Sequence, residues 1–222
     1  MQPLQITFEL ATPVVIESEH PIHFDGVLAS CVAQEAVESG SRTPWQDADD
    51  LSKLLESTSA NERGEWVWKA SRVLFEPASE RFMQSMVRRA EPETFMGAQA
   101  EGFLNVRSPR SVFVTTEGAG RAYYLFHNYQ WMRRATAWCI GDAVEIMNSL
   151  KRVQSLGKLA RNGYGVVRAI QVSECEDNGQ WRNRFLPLEQ AGAAGVAYIT
   201  GLRRLQAPYW KKEAMTEVLV PL

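Results

Sequence analysis

The chain has 222 residues, 45% hydrophobic and 23% charged, with a formal net charge of -2. That length and composition fit an ordinary globular domain with a real core and exclude a disulfide framework or a membrane-spanning chain. The charge is uneven: residues 1–100 carry 8 Lys and Arg against 16 Asp and Glu, and residues 101–222 carry 16 against 10. The C-terminal half can therefore bind along a polyanion. The acidic half suits protein neighbours or only reflects scattered surface charge.

The cysteines and the N-terminus indicate in which compartment the protein works. Cys31, Cys139 and Cys175 are odd in number and lack metal-ligand spacing, so we expect free thiols in a reducing cytoplasm. The first 15 residues have neither a positive start nor an unbroken apolar run, which argues against a signal peptide. We expect a cytoplasmic protein that carries no metal and no cofactor.

The first third of the chain predicts a strand, a helix and an insertion. Leu4, Ile6 and Phe8 alternate with polar residues, as in a half-buried strand. Apolar residues at helical spacing then predict a helix over residues 24–37. Residues 38–62 are mostly polar and predict a surface insertion, in which three leucines form only a short helical turn: Leu51, Leu54 and Leu55.

The middle of the chain predicts two strands, a basic helix and a hairpin. Residues 66–75 favour a strand, and residues 80–90 a short basic helix with Arg81, Arg88 and Arg89 on a solvated face. A second surface insertion is expected at about 76–110. Residues 111–115 and 121–129 flank a glycine-containing turn at 116–120 and predict a hairpin.

The second arm of this hairpin is dense in aromatic residues and ends at Arg133 and Arg134. Aromatic rings beside arginines suit stacking on unpaired bases, at about 1–3 kcal/mol per base. Sheet core is the commoner role of any single such ring and is the expectation here. The residues are Tyr123, Tyr124, Phe126, His127, Tyr129 and Trp131.

The stretch at 155–172 combines glycines with cations. Residues 135–140 predict a strand and residues 142–153 a helix, capped by Asp142 and Glu145 and ending near Lys151 and Arg152. A strand over 164–172 follows. The glycine-rich loop between them contains Gly157, Lys158, Arg161, Asn162, Gly163, Tyr164, Gly165 and, just inside the strand, Arg168. Glycine amides beside cations suit phosphate, although a glycine cluster after a helix is often only a turn.

Two well-known nucleotide loops do not fit this stretch. A Walker loop needs Ser or Thr after Gly-Lys, but Leu159 follows Gly157 and Lys158. The Rossmann fingerprint lies between strand and helix, and here the order is helix and then strand.

The loop GKLARNGYGVV closely resembles the glycine-rich loop of the RAMP superfamily, the RNA-binding proteins of CRISPR systems. The stretches HPIHFDGVLA at 20–29 and LRRLQAPYW at 202–210 resemble further segments of that family, and the whole chain resembles the Cas-five-type subunit of type IV CRISPR effector complexes. Many family members carry an arginine directly after the last glycine of this loop. This chain has Val166 and Val167 there instead.

The resemblance implies an α+β protein of ferredoxin-like (RRM-like) topology, a single domain over residues 1–222 with a C-terminal extension from about 175. It implies a non-catalytic subunit that binds the 5′ handle of the CRISPR RNA (crRNA) and caps a filament of backbone RAMP subunits. The large subunit is a further expected neighbour, with target DNA near the protospacer-adjacent motif as an additional contact. The RNA-binding residues would be Lys151, Arg152, Gly157, Lys158, Arg161, Asn162, Gly163, Tyr164, Gly165 and Arg168.

Two other functions stay open at this point. Some RAMP proteins cut precursor crRNA with a histidine as general base, so His20, His23 and His127 are candidates. His20 and His23 lie among acidic residues that repel phosphate, and His127 lies among strand aromatics, so a structural role is expected for each. An unrelated small-molecule-binding ferredoxin-like protein is the other alternative. Near the C-terminus, Tyr209 and Trp210 are expected to dock on the body of the protein.

Overall fold

The computed structural model describes residues 1–15, 20–89, 91–103 and 121–222. These residues divide into two compact units, one formed by Met1–Glu80 with Gln130–Leu222 and the other by Arg81–Tyr129. The predicted strand at 111–115 and turn at 116–120 lie outside the described residues.

The protein is α+β with antiparallel sheets. The strands are β1 (Gln2–Leu10), β2 (Leu74–Pro77), β3 (Phe82–Arg88), β4 (Tyr123–Tyr129), β5 (Met132–Gly141), β6 (Val167–Glu174), β7 (Leu186–Pro187), β8 (Tyr198–Arg203) and β9 (Thr216–Pro221). The helices are α1 (Phe24–Glu38), α2 (Pro44–Asp47), α3 (Pro92–Ala100) and α4 (Ala143–Leu150).

A four-stranded sheet with the order β2-β5-β1-β6 forms the framework of the first unit. All three pairings are antiparallel. The predicted alternation in β1 is confirmed, because Leu4, Ile6 and Phe8 are fully buried. β1 pairs with β5 along one edge and with β6 along the other. Its buried side chains therefore lie in the main core.

The two long helices of this unit follow the sequence prediction closely. α1 begins at Phe24 and contributes Leu28 to the core that holds the sheet. α4 begins after Asp142, whose side chain accepts hydrogen bonds from the amides of Val144 and Glu145 at 3.0 Å each. This confirms Asp142 as the cap. The helix ends earlier than predicted because the amide of Val153 bonds the carbonyl three residues back, at Leu150.

Two segments between these elements differ from the prediction. Leu51, Leu54 and Leu55 are buried in the main core, so this part of the 38–62 segment is not a surface insertion. The amide of Glu56 bonds the carbonyl of Ile140 at 2.9 Å, which holds the segment against the end of β5. The strand predicted at 66–75 is only partly present, as isolated bridges such as Ala70 to Cys139, followed by β2.

The second unit pairs β3 with β4 along their whole length. The prediction of a basic helix over 80–90 is therefore wrong: pairing with β4 outweighs the weak helical pattern of this stretch. The expectation of sheet core is also wrong for Tyr124 and Phe126, which are 59% and 55% exposed. They lie on one face of the pair with Met83 and Val87, which are exposed as well.

The C-terminal extension forms a three-stranded sheet of its own, in the order β7-β9-β8. A second apolar core supports it and includes Trp181, Phe185, Leu205 and Val218. Within the part of the chain that the structure describes, no helix has the length and apolar character needed to cross a bilayer.

Candidate nucleic-acid interface

The glycine-rich loop leaves α4 and returns into β6 as a closed turn. The amide of Leu156 donates to the carbonyl of Gly165 at 2.8 Å, and the amide of Val167 donates to the carbonyl of Gln154 at 2.9 Å. These bonds join the two ends of the loop, so residues 157–164 project as one unit from the sheet edge.

The segment that follows β1 anchors this loop. The amide of Gly165 donates to the carbonyl of Pro13 at 2.7 Å, and the amide of Lys158 donates to that of Val15 at 2.9 Å. The Thr12 hydroxyl accepts from the amide of Val166 at 2.9 Å. Since β1 is one of the two inner strands of the sheet, the loop is fixed to the framework of the protein.

Glycine is required at Gly165 by both conformation and space. Its φ is +65°, and a Cβ there would lie 1.8 Å from the carbonyl oxygen of Leu156. Gly163 also has a positive φ, +82°, but a Cβ at that position would meet open space. It ends a single 3-10 turn over Ala160–Asn162, which begins after Leu159, itself at φ +60°.

The backbone N–H groups of Gly163 and Gly165 both donate to carbonyls within the protein. That of Gly163 donates to the carbonyl of Ala160 at 2.9 Å, and that of Gly165 donates to Pro13. In this conformation neither of these two N–H groups is available to a phosphate, and binding by other amides around them stays a prediction. The glycines give the loop its shape, and phosphate binding would depend on the cations.

Most of the predicted site residues are exposed to solvent. Gly165 is buried and Tyr164 half-buried. The exposed residues are Gly157, Lys158, Arg161, Asn162 and Gly163 in the loop and Arg168 on β6. The arrangement presents three cations from one loop and the strand that follows it, which suits a polyanion.

The two cations at the end of α4 are engaged with other side chains. Lys151 donates through Nζ to Oδ1 of Asn148 at 2.9 Å. Arg152 lies 3.6 Å from a carboxylate oxygen of Glu35 and 3.3 Å from one of Glu38. Its guanidinium thus ties α4 to α1, and this ion pair would compete with the predicted contact to RNA.

The three histidine candidates lie in different surroundings. His20 is exposed, and His127 is half-buried on β4 of the second unit. His23 is 2% exposed and stacks on Tyr209, with ring centroids 4.2 Å apart. Burial, and then the charges of Arg184 and Arg72, hold the pKa of His23 well below its usual 6.5. His23 is therefore a neutral ring within the packing.

Arg184 is a buried hub that sequence reasoning missed. It is fully buried, and its guanidinium donates to Asp25 at 3.2 Å and to the Tyr209 hydroxyl at 2.7 Å. It also donates to the carbonyls of Trp68 at 2.6 Å and Leu205 at 2.7 Å. The docking expected for Tyr209 is confirmed by this network, whereas Trp210 is 79% exposed. No sequence pattern pairs an aspartate with an arginine 159 positions away.

Cysteines and acidic residues form no metal site within the described ranges. Cys31, Cys139 and Cys175 are free thiols, as predicted. Burial raises the pKa of Cys31 to about 11, which leaves it a thiol at neutral pH.

Comparison with known families gives one match over nearly the whole chain. The family model described as CRISPR type IV associated protein Csf3 matches residues 2–221. No curated protein matches the chain.

Proposed function

The chain belongs to the Csf3 family of CRISPR type IV associated proteins, and from that premise we propose that it is a non-catalytic, guide-RNA-binding subunit of a type IV ribonucleoprotein complex. In this proposal it binds the 5′ handle of the crRNA and caps the filament of backbone subunits. Target specificity would come from pairing of the guide, not from this chain.

The fold that we propose is the ferredoxin-like RAMP fold. Four strands in the order β2-β5-β1-β6, with α1 between β1 and β2 and α4 between β5 and β6, support it. In this topology the two strand-helix-strand halves interlock, which is why β1 and β5 lie side by side at the centre. β3, α3 and β4 are then an insertion between the second and third strands of the framework.

The observation that carries the RNA-binding proposal is the anchored basic loop. Lys158 and Arg161 are exposed on the loop and Arg168 on β6 directly after it, and the backbone of the loop is bonded to the segment that follows β1. A preorganised loop loses little conformational entropy when it binds, so less of the affinity of its cations for phosphates is lost in ordering the loop.

Exposed apolar surface supports the partner part of the proposal. On one face of the β3–β4 pair, Met83, Val87, Tyr124 and Phe126 are all more than half exposed. Among the described residues β3 and β4 form a sheet of only two strands, and such a pair alone is only marginally stable in water. A protein neighbour, such as a backbone subunit or the large subunit, would bury this face and stabilise the pair.

The proposal of a non-catalytic role rests on the histidines. His23 is held in a ring stack with Tyr209 and Phe185, which gives it a packing role. Incubation of the purified protein with labelled repeat RNA, without metal, should leave the RNA intact. A cut at one position that is lost in His20→Ala, His23→Ala or His127→Ala would contradict the proposal and identify a processing endoribonuclease.

The direct test of the proposed function is co-purification. The tagged chain is expressed with the proteins of its own operon and a CRISPR array. After affinity purification it should elute with those proteins as one defined particle. Sequencing the RNA in that particle should give guides with a common repeat-derived 5′ end. A well-behaved monomer that joins no particle and retains no RNA would favour a small-molecule-binding protein instead.

A further inference from the structure

The C-terminal sheet, with the order β7-β9-β8, has an open edge at β8. Among the described residues β8 pairs with β9 alone. In an antiparallel pair, successive residues direct their backbone groups alternately toward the partner strand and away from it. The amide of Leu222 donates to the carbonyl of Ala197 at 3.0 Å, so every second residue after Ala197 also faces β9. The residues between them direct their backbone groups to the open edge: Tyr198, Thr200 and Leu202.

β8 lacks the features that protect the other sheet edges of the first unit. Outer strands usually carry charges, proline or a bulge, or are very short, because an unpaired edge pairs readily with another chain. β2 ends in Glu76 and Pro77 with a register shift between them, and β7 has two residues, one of them Pro187. β6 has a charged residue near each end. β8 has six residues in unbroken register and no proline, and its one charged residue, Arg203, is the last.

Two aliphatic side chains extend over this edge. Ile199 is 52% exposed and Leu202 is 62% exposed. Since side chains alternate along a strand, they lie on opposite faces of the sheet. A strand that paired with β8 would bury part of both side chains while its backbone satisfied the open edge.

The start of β8 is held firmly in place. The Tyr198 hydroxyl donates to the carbonyl of Arg182 at 2.8 Å and accepts from the amide of Ala193 at 3.0 Å. A Cβ at Gly192 would lie 2.3 Å from the Tyr198 ring, so the ring packs closely on that backbone. The edge is therefore preorganised, which lowers the entropy cost of adding a strand.

The end of β8 is basic. Neither Arg203 nor Arg204 pairs with a carboxylate among the described residues. The Nε atom of Arg203 is buried without a hydrogen-bond partner there, and Nη1 donates to the carbonyl of Leu202 at 2.8 Å. Glu217 of β9 lies opposite Leu202, on the other face of the sheet from Arg203. A carboxylate brought by another molecule would fit beside these two arginines.

We propose that the open edge of β8 adds a strand from a protein neighbour, an extended segment with apolar residues and a carboxylate that meets Arg203 and Arg204. This inference rests on the proposed function, because the neighbour is a subunit of the same ribonucleoprotein. Alternating N–H and C=O groups match another extended backbone, whereas phosphate oxygens can only accept. A second copy of β8 fits less well, since residues 198–204 contain no carboxylate.

The experiment measures how much of each operon protein co-purifies with the tagged full-length chain, for the wild type and three variants. Thr200→Pro removes an N–H that faces the open edge and not β9, a position where a strand tolerates proline. Leu202→Lys adds the kind of charge by which natural sheets prevent edge pairing. Val37→Lys is the matched control, because Val37 is 60% exposed but lies on α1. Thermal unfolding of each free variant verifies folding.

Thr200→Pro and Leu202→Lys should each reduce one neighbouring protein per tagged chain by about tenfold, the effect of losing one or two backbone hydrogen bonds. Val37→Lys should retain the wild-type amount. If Thr200→Pro does not fold, Leu202→Lys decides alone. Folded edge variants that keep every neighbour would overturn the edge inference and leave the proposed function standing. A wild-type chain that joins no particle would contradict both.

Hydrogen exchange gives a readout that needs no variant. The amide of Thr200 should exchange more slowly in the wild-type particle than in the free chain, because a backbone carbonyl of the neighbour accepts from it. Equal rates in the two states would overturn the inference.

Two further measurements identify other occupants. A free wild-type chain that is dimeric by light scattering, and becomes monomeric in both edge variants, would overturn the inference in favour of a second copy. Free edge variants that bind single-stranded RNA more weakly than the wild type would overturn it in favour of nucleic acid.

Discussion

At the scale of single residues, the loop depends on one glycine far more than on another. Gly165 combines a positive φ with a backbone carbonyl 1.8 Å from where a Cβ would lie, whereas Gly163 has the positive φ alone. The sequence marks both as glycines of one motif. Only the structure separates their roles, because the carbonyl that excludes a side chain belongs to Leu156, nine positions earlier.

We therefore predict that Gly165→Ala lowers the free energy of unfolding more than Gly163→Ala. The strain of the left-handed region costs about 1–2 kcal/mol for either variant. The clash at Gly165 adds to it because the backbone must move. Urea unfolding monitored by circular dichroism measures both values, and equal losses would show that the contact with Leu156 is relieved without cost.

His23 leads to a prediction about pH. Its pKa in the folded protein lies well below 6.5 because of burial, with Arg184 and Arg72 adding to the effect. Below pH 6.5 the unfolded chain binds a proton that the folded chain refuses, so stability is lost as the pH falls. This loss should approach about 1.4 kcal/mol per pH unit for one proton.

The measurement compares urea unfolding of wild type and His23→Phe between pH 8 and about pH 5. The wild type should lose stability more steeply below pH 6.5 than the variant. The exposed His20 provides the control, since His20→Ala leaves His23 in place and should keep the steep fall. Parallel curves for wild type and His23→Phe would mean that His23 does not titrate in this way.

At the scale of elements, the sequence predicted best where a pattern was long and local. β1, α1 and α4 followed from alternation, helical spacing and the cap at Asp142. The sequence favours a helix for β3 because the pairing partner of this strand, β4, lies more than 30 residues away in the chain. The sequence also places the leucines of residues 51–55 at the surface, since no local pattern indicates that they lie against the end of β5.

The C-terminal extension is joined to the framework through the Arg184 hub. Removing one member of a buried ion pair leaves the other uncompensated, at a cost of roughly 3–5 kcal/mol. Arg184→Met should therefore lower the free energy of unfolding by several kcal/mol, because the buried Asp25 carboxylate would lose its cation and keep hydrogen bonds only from the Tyr209 hydroxyl and the Gly26 amide among the described residues. Arg133→Met, in an exposed ion pair with Glu76, is the control and should change stability little.

The double variant Asp25→Asn with Arg184→Met provides a second readout for this hub. It removes both charges and should be more stable than Arg184→Met alone, since no buried charge is left unpaired. A single variant as stable as Arg133→Met would contradict the structural role of the hub.

At the scale of the whole molecule, the uneven charge of the two halves of the sequence corresponds to different roles of their charged side chains. The C-terminal half supplies the loop, its cations and Lys211, whereas acidic residues of α1 hold Arg152. The sequence could predict that the basic half meets a polyanion. It could not predict the pocket beside the loop, because five separate stretches of the chain line it, Val15 among them, and only folding brings them together.

The central claim is that the loop cations bind RNA phosphate, and the salt dependence of binding tests it most directly. Affinity for single-stranded RNA carrying the repeat-derived 5′ end is measured over a series of salt concentrations for wild type, Lys158→Ala, Arg161→Ala and the control Lys53→Ala. Each loop variant should weaken binding and reduce the slope of log affinity against log salt by about 0.7 per lost contact. Lys53→Ala should leave both unchanged. Unchanged affinity and slope in the loop variants would mean that the glycine-rich loop is only a turn.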